Sequence, residues 1–120
     1  MKITTWNVNG IRAAINKGFV EWATSYEQDV LCLQEIKAFR EQIPENAIYI
    51  DGYNAHIHSA NRPGYSGVAS YFRSAPEEIR IGLGIEKFDD EGRVIRSKHK
   101  DFYLYNIYFP NGKRCQDRVD

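Results

Sequence analysis

Three polar groups close stretches that otherwise read as β-strands. Asn7 closes the segment Lys2 to Val8, Glu35 closes Asp29 to Glu35, and Tyr108, with Asn111 behind it, closes Phe102 to Phe109. Sites in α/β proteins tend to form at strand ends. If the first two strands are neighbours that end together, the amide oxygen of Asn7 and the carboxylate of Glu35 share one rim. Such an oxygen-only pair suits a hard cation like magnesium, which prefers oxygen ligands and keeps several of its waters. Taken alone, a carboxylate at a strand end is more often simply solvated, and a tyrosine in an aromatic strand more often fills a core. Spacing by itself leaves both readings open.

The elements that must position these groups follow from periodicity and punctuation. Lys2 to Val8 alternates and is rich in strand formers, and Asn9-Gly10 ends it. From Ile11 the pattern turns helical, with Ile11, Ile15, Phe19, Trp22 and Tyr26 recurring at three- and four-residue steps. Gly18 interrupts that span and would divide it into two shorter helices. Val30-Leu31-Cys32-Leu33 is a short apolar run expected to be a strand buried on both faces. After a loop around Pro44, Tyr53 to Ser59 alternates again, Arg62-Pro63-Gly64 marks a turn, and Gly67 to Phe72 gives another strand. Glu78 to Leu83 and Arg93 to Ser97 are weaker strand candidates, whereas Phe102 to Phe109 is strong and is closed by Pro110-Asn111-Gly112. Lys113 to Asp120 reads as the start of a helix. One early amphipathic helical stretch followed by many strands predicts an α/β layered sheet, not a sandwich of pure β.

The chain has 120 residues, enough for one domain, and its hydrophobic content of 42% and aromatic content of 13% exclude a disordered chain. No apolar run approaches the roughly 20 residues needed to cross a bilayer. The N-terminus has no export signal, so the expected location is cytoplasmic, or nucleoid-associated in a prokaryote. With 16 basic and 16 acidic residues the net charge is zero, which neither supports nor excludes a nucleic-acid partner. Cys32 sits in the apolar run and is expected to be a buried small hydrophobe, and neither it nor Cys115 has a metal-ligand spacing. His56 and His58 alternate on one strand face and, like His99, match no ligand motif; structural or exposed positions are expected for them.

Five segments carry a family resemblance. Thr5-Trp6-Asn7-Val8-Asn9-Gly10-Ile11-Arg12-Ala13, Leu33-Gln34-Glu35-Ile36-Lys37, Gly64-Tyr65-Ser66-Gly67-Val68-Ala69, Glu91-Gly92-Arg93-Val94-Ile95 and Tyr108-Phe109-Pro110-Asn111-Gly112 occur in order across the chain. Each is weak alone; together they resemble the exonuclease III / apurinic-apyrimidinic (AP) endonuclease family of the endonuclease/exonuclease/phosphatase superfamily. The resemblance implies a four-layer α/β/β/α sandwich, deoxyribonuclease I-like, of which this chain holds roughly one sheet plus its helix layer. Residues 1–120 would then be the N-terminal part of a single domain. The face awaiting the second sheet would be a large exposed apolar patch.

The resemblance also implies roles. Glu35 would bind Mg2+ (or Mn2+) with Asn7 beside it, and Tyr108 would be catalytic, turning its phenol toward the scissile phosphate. Asn9 is a poorer ligand than the Asp some relatives place there. Arg12, Ala13, Lys37, Gly64, Tyr65 and Asn111 would contact nucleic acid, although Arg12 and Lys37 read equally well as solvated charges. Glu91 and Arg93 would either support the site or form an internal ion pair. The implied reaction is hydrolysis of DNA phosphodiesters 5′ to abasic sites or from 3′ ends, in base-excision repair, on double-stranded DNA with abasic or 3′-blocked lesions. The family's Asp-x-Asn segment and its terminal Asp-His pair, which supplies the general base, are absent from the sequence, so this chain alone is expected to be inactive. Two rival readings are a related phosphoesterase acting on inositol phosphates or sphingomyelin, and a non-catalytic, truncated DNA-binding fragment.

Overall fold

The computed structural model describes residues 1–110. The expectations for Asn111, Cys115 and a helix beginning at Lys113 lie outside the described residues. The elements run β1 (Ile3–Asn7), α1 (Ile11–Asn16), α2 (Phe19–Ser25), β2 (Val30–Gln34), a 3-10 turn (Arg40–Gln42), α3 (Glu45–Ile48), β3 (Asn54–His58), β4 (Val68–Phe72), β5 (Glu78–Ile81), α4 (Glu86–Asp89), β6 (Val94–His99) and β7 (Phe102–Ile107). Gly18 does divide the helical span: it adopts the left-handed conformation, φ 98°, between α1 and α2. No helix among the described residues is long and apolar enough to cross a membrane.

The first sheet has the order β1-β2-β4-β3, with β1 and β2 parallel and the other pairs antiparallel. The period of two sorts its side chains. On one face, Leu31, Leu33, Ala69 and Tyr71 form a continuous core with Ile11, Phe19 and Ala23 of the helices. Burying side chains of this size stabilises the fold by about 1.5–3 kcal/mol each. Two phenols lock the layers together, Tyr71 donating to Ala47 O at 2.7 Å and Tyr53 to Ala23 O at 3.0 Å. Tyr26, the last residue of the helical pattern, misses this core; it is exposed and stacks on Trp22 at 5.5 Å.

On the other face, Val30, Cys32 and Phe72 form a smaller cluster that Ile79 and Leu104 cover. Those two come from a second, antiparallel sheet of order β5-β6-β7. The chain therefore carries more of the sandwich than one sheet and its helices: it supplies a helix layer and strands of both sheet layers. The physical reason is that β2 and β4 are buried on both faces, so their second face needs an apolar cover. Ile79 of the weak candidate β5 and Leu104 of β7 provide it. Part of that face stays exposed at Ile3 of β1, level with Val30, and further apolar surface lies along β7, where Tyr103 and Tyr105 are about half exposed.

A polar peg ties the two sheets together. Asn106 of β7 is 3% exposed and reaches into the first sheet. Its Nδ2 donates to Ala69 O at 2.8 Å and to Ser70 Oγ at 3.0 Å, and lies 3.3 Å from Leu33 O. Its Oδ1 accepts from Gln34 Nε2 at 2.8 Å, and Gln34 Nε2 also donates to Thr5 Oγ1 at 2.9 Å. Buried polar groups satisfied in this way fix one arrangement of a core that apolar contacts alone would leave loosely specified.

Cys32 is buried and free, and burial pushes its thiol up to about 11, as suits an inert core residue. Two of the histidines pack within the fold. His99 stacks on Phe102 at 4.9 Å and bonds Ser97 Oγ through Nε2 at 2.9 Å, and the His56 ring lies 5.8 Å from Phe72. Burial lowers the pKa of His56, with Arg40 adding to it; it also lowers those of His58 and His99, where Asp89 and Glu77 respectively work the other way.

Two outcomes are expected. Histidines with lowered folded pKa take up protons first in the unfolded chain, so stability is full above about pH 6.5 and falls as pH drops through that value. Thermal melts should show a lower midpoint at about pH 5.5 than at about pH 7.5, and His99→Gln should shrink the difference; a midpoint that rises on acidification contradicts the burial argument. For the peg, Asn106→Leu should cost about 1–3 kcal/mol in urea unfolding, by removing the donor to Ala69 O and Ser70 Oγ and one acceptor of Gln34. Asn106→Asp should cost more, because it turns an acceptor toward Ala69 O and Leu33 O. Unchanged midpoints for both variants would show the network to be idle.

Candidate active site

The rim forms where β1 and β2, being parallel and adjacent, end side by side. Asn7 pairs in register with Gln34, which places Glu35 one residue beyond. The segments that follow continue the pairing: Val8 N donates to Gln34 O at 3.1 Å, Gly10 N to Glu35 O at 2.8 Å and Ile11 N to Ile36 O at 2.9 Å. On the other side, Ile36 N donates to Gly67 O at 3.1 Å and Lys37 N to Ser66 O at 2.8 Å. Residues 8–11, 34–37 and 66–67 are thus laced together in a row just past the strand ends.

This lacing imposes an unusual backbone. Asn9, Glu35, Lys37 and Ser66, with φ between 47° and 58°, are the non-glycine residues of left-handed conformation among the described residues, and all four lie in this row. Each such residue costs on the order of 1 kcal/mol or more, so the surrounding bonds must hold them there. Gly67 is required by the same crowding, since a Cβ on it would lie 2.7 Å from Ile36 Cγ1.

Side chains converge on one point of the row. Lys37 Nζ donates to Asn9 Oδ1 at 2.7 Å and pairs with Glu35 Oε2 at 3.2 Å. Asn7 Oδ1 accepts from Asn9 N at 3.0 Å, which sets the turn after β1. Arg12, exposed on the first turn of α1 beside Ala13, donates Nη2 to Lys37 O at 3.1 Å. The carboxylate of Glu35 and the amide oxygen of Asn9 therefore face a common cation position, the Lys37 ammonium.

A second cluster lies between the two sheets' loops. Glu91 Oε1 accepts from Tyr65 Oη at 3.1 Å and from Arg93 Nη2 at 3.0 Å. The Arg62 guanidinium lies 4.0 Å over the Tyr65 ring. Of the two roles left open for Glu91 and Arg93, an ion pair is what the geometry has, and it binds Tyr65 in place. Gly92 lets this loop lie against the backbone after β3, where a Cβ would clash with Ala60 N and Ser59 C. Tyr108 N donates to Arg93 O at 2.9 Å, which attaches the residue after β7 to this cluster. Gly64 is exposed in the preceding turn.

The structure thus brings Asn7, Asn9, Glu35, Lys37 and Arg12 into one contact network. Tyr65 and Tyr108 are joined through Glu91 and Arg93, while Asn111 lies outside the described residues. Sequence reasoning missed Gln34 and Asn106, whose 2.8 Å bond links the residue before Glu35 to the residue two before Tyr108. The signal was available: an asparagine, poor in β-propensity, sits in the middle of an aromatic strand. Among the described residues no group of three or more His, Cys, Asp or Glu could hold a metal, so any cation here would rest on one carboxylate and amide oxygens.

A model of the Endonuclease/Exonuclease/phosphatase family matches residues 4–118. The chain is 39% identical to a DNA repair nuclease APEX1 of Danio rerio, over 100% of this chain and 39% of that protein. It is 34% identical to an exodeoxyribonuclease of Bacillus subtilis, over 100% of this chain and 47% of that protein. Its fold superimposes on the 3′ phosphatase NExo from Neisseria, bound to a product DNA hairpin, with a TM-score of 0.77 at 31% identity, over 93% of this chain and 42% of that one. The chain spans less than half the length of each. With the family model covering nearly every residue and the two sheets of the sandwich in place, the chain belongs to the Endonuclease/Exonuclease/phosphatase family, in its exonuclease III / AP endonuclease branch.

Proposed function

We propose that this chain is the part of a DNA-repair phosphodiesterase that holds the metal and grips the phosphate backbone near the break. The observation that carries the reading is the rim itself: a carboxylate and an amide oxygen turned onto one cation position by costly left-handed backbone. Strain of this kind gathers where geometry serves chemistry. The relatives' names, a DNA repair nuclease and an exodeoxyribonuclease, and the DNA hairpin held by the Neisseria protein, support DNA as the substrate.

The donor set fits a hard divalent cation. An ammonium already stands between Glu35 and Asn9 as an internal stand-in, which indicates that the position favours positive charge. Glu35 would hold Mg2+ or Mn2+, with Asn7 supporting through Asn9, and water would complete the shell. When bound, the cation offsets negative charge on the phosphate and the leaving oxygen. Tyr108 would donate its phenol hydrogen to a phosphate oxygen. Arg12, Lys37 and Tyr65, with the backbone at Ala13, Gly64 and Asn111, would fix the strand's register without reading its sequence.

Hydrolysis also needs a base to take the proton from the attacking water. The Asp-x-Asn and Asp-His segments that the resemblance expects for this part have no counterpart in the sequence. Residues 1–120 alone are therefore proposed to turn over little or no DNA.

The test is cleavage of a duplex carrying an abasic-site analogue, with Mg2+. Residues 1–120 should give no more than background product, and efficient turnover would sink that part of the proposal. A longer form that adds the missing segments should cleave, and Glu35→Ala in it should lower kcat by about 100-fold or more. Near-normal turnover by that variant would remove Glu35 from the metal site. Cleavage of a phosphoinositide in preference to abasic DNA would favour the related phosphoesterase instead.

A further inference from the structure

Lys37 is held in an unusual way. Its backbone is fixed on both sides, with N donating to Ser66 O at 2.8 Å, O accepting from Arg12 Nη2 at 3.1 Å, and φ locked at 55°. Its side chain is a flexible four-carbon stem with a compact charged head, and that side chain is 36% exposed. The head sits 2.7 Å from Asn9 Oδ1 and 3.2 Å from Glu35 Oε2. So the stem's root cannot move, the head can swing toward solvent, and its present partners are the two oxygens a metal would need.

We propose that Lys37 is an internal counter-cation that a divalent metal must displace from Glu35 and Asn9, and that a substrate phosphate receives the displaced ammonium. This rests on the reading of Glu35 as the metal carboxylate. The oxygens cannot serve both cations at short range, since ammonium and metal would repel each other there. Binding of the metal therefore costs the Lys37–Glu35 pair, and an anion able to take the ammonium lowers that cost. Metal and phosphate uptake become coupled through one side chain, and such coupling is reciprocal.

The sign of one substitution decides the matter. A lysine that merely supports the ligands would weaken metal binding when removed; a competing lysine would strengthen it. Mn2+ uptake is followed by electron paramagnetic resonance on the 120-residue chain without DNA, for the wild type, Lys37→Met, Lys37→Gln and Glu35→Gln, with circular dichroism to confirm that each is folded. Both Lys37 variants should bind Mn2+ roughly fivefold more tightly than the wild type, the equivalent of about 1 kcal/mol for a partly exposed ion pair. Equal or weaker binding by the Lys37 variants, with uptake lost in Glu35→Gln, overturns the competition and leaves the metal site standing. Equal uptake by the wild type and Glu35→Gln, or no uptake by the wild type and Lys37 variants alike, removes Glu35 as the metal carboxylate and this proposal with it.

Discussion

The two sheets are registered on each other by a single buried amide. Asn106 enters the first sheet between β2 and β4, spending both its hydrogens on oxygens of that sheet and taking one back from Gln34. The apolar cluster around it is small, with Val30, Cys32 and Phe72 facing Ile79 and Leu104. Apolar contacts of that size exclude water but tolerate sliding, because the hydrophobic effect has no direction. The amide has direction. A shift of β7 by one residue would carry Asn106 to the outer face and bring an aromatic or aliphatic side chain against Ser70.

The consequences run along two strands to the rim. Gln34 precedes Glu35, and Asn106 lies two residues before Tyr108, so the Gln34–Asn106 bond fixes the spacing of the segments that bear the carboxylate and the phenol. The left-handed backbone at Asn9, Glu35, Lys37 and Ser66 is a cost that the rim alone does not offset. It is sustained by the lacing of three segments and, beneath them, by the large helix-side core of Leu31, Leu33, Ile36 and Tyr71. Stability is concentrated on one side of the first sheet and geometry is set on the other.

That division explains what could be read from sequence. β1, β2, β4 and β7 and the helix split at Gly18 were legible, because period and punctuation are local. That β1 and β2 end side by side followed from strand ends alone, but Asn7 lies level with Gln34, and Asn9 is the residue that shares an ammonium with Glu35. α3 and α4, each of four residues, are too short for any period to declare them. The second sheet was under-read because Arg80, Arg96 and Lys98 crowd its outer face while its inner face mixes Ile79, Ile95 and Leu104 with Ser97, His99 and Asn106. The backbone of Glu35 and Lys37 was not legible, since neither residue type favours a positive φ. Asn106 was visible as an anomaly, but its partners are far upstream and only the tertiary fold names them.

Charge places a further constraint on the DNA contact proposed for this rim. The chain as a whole is neutral, so its net charge adds no general attraction for a polyanion. The rim's cations are also engaged, Lys37 with Glu35 and Arg12 with the carbonyl of Lys37, as is Arg93 with Glu91 in the second cluster. Arg12, held by the Lys37 carbonyl, is already oriented and would lose little side-chain entropy on meeting a phosphate, whereas Lys37 would first have to leave Glu35 and Asn9. A rim built in this way would select by fit at close range, which suits a partner recognised by the shape of its backbone more than by its sequence.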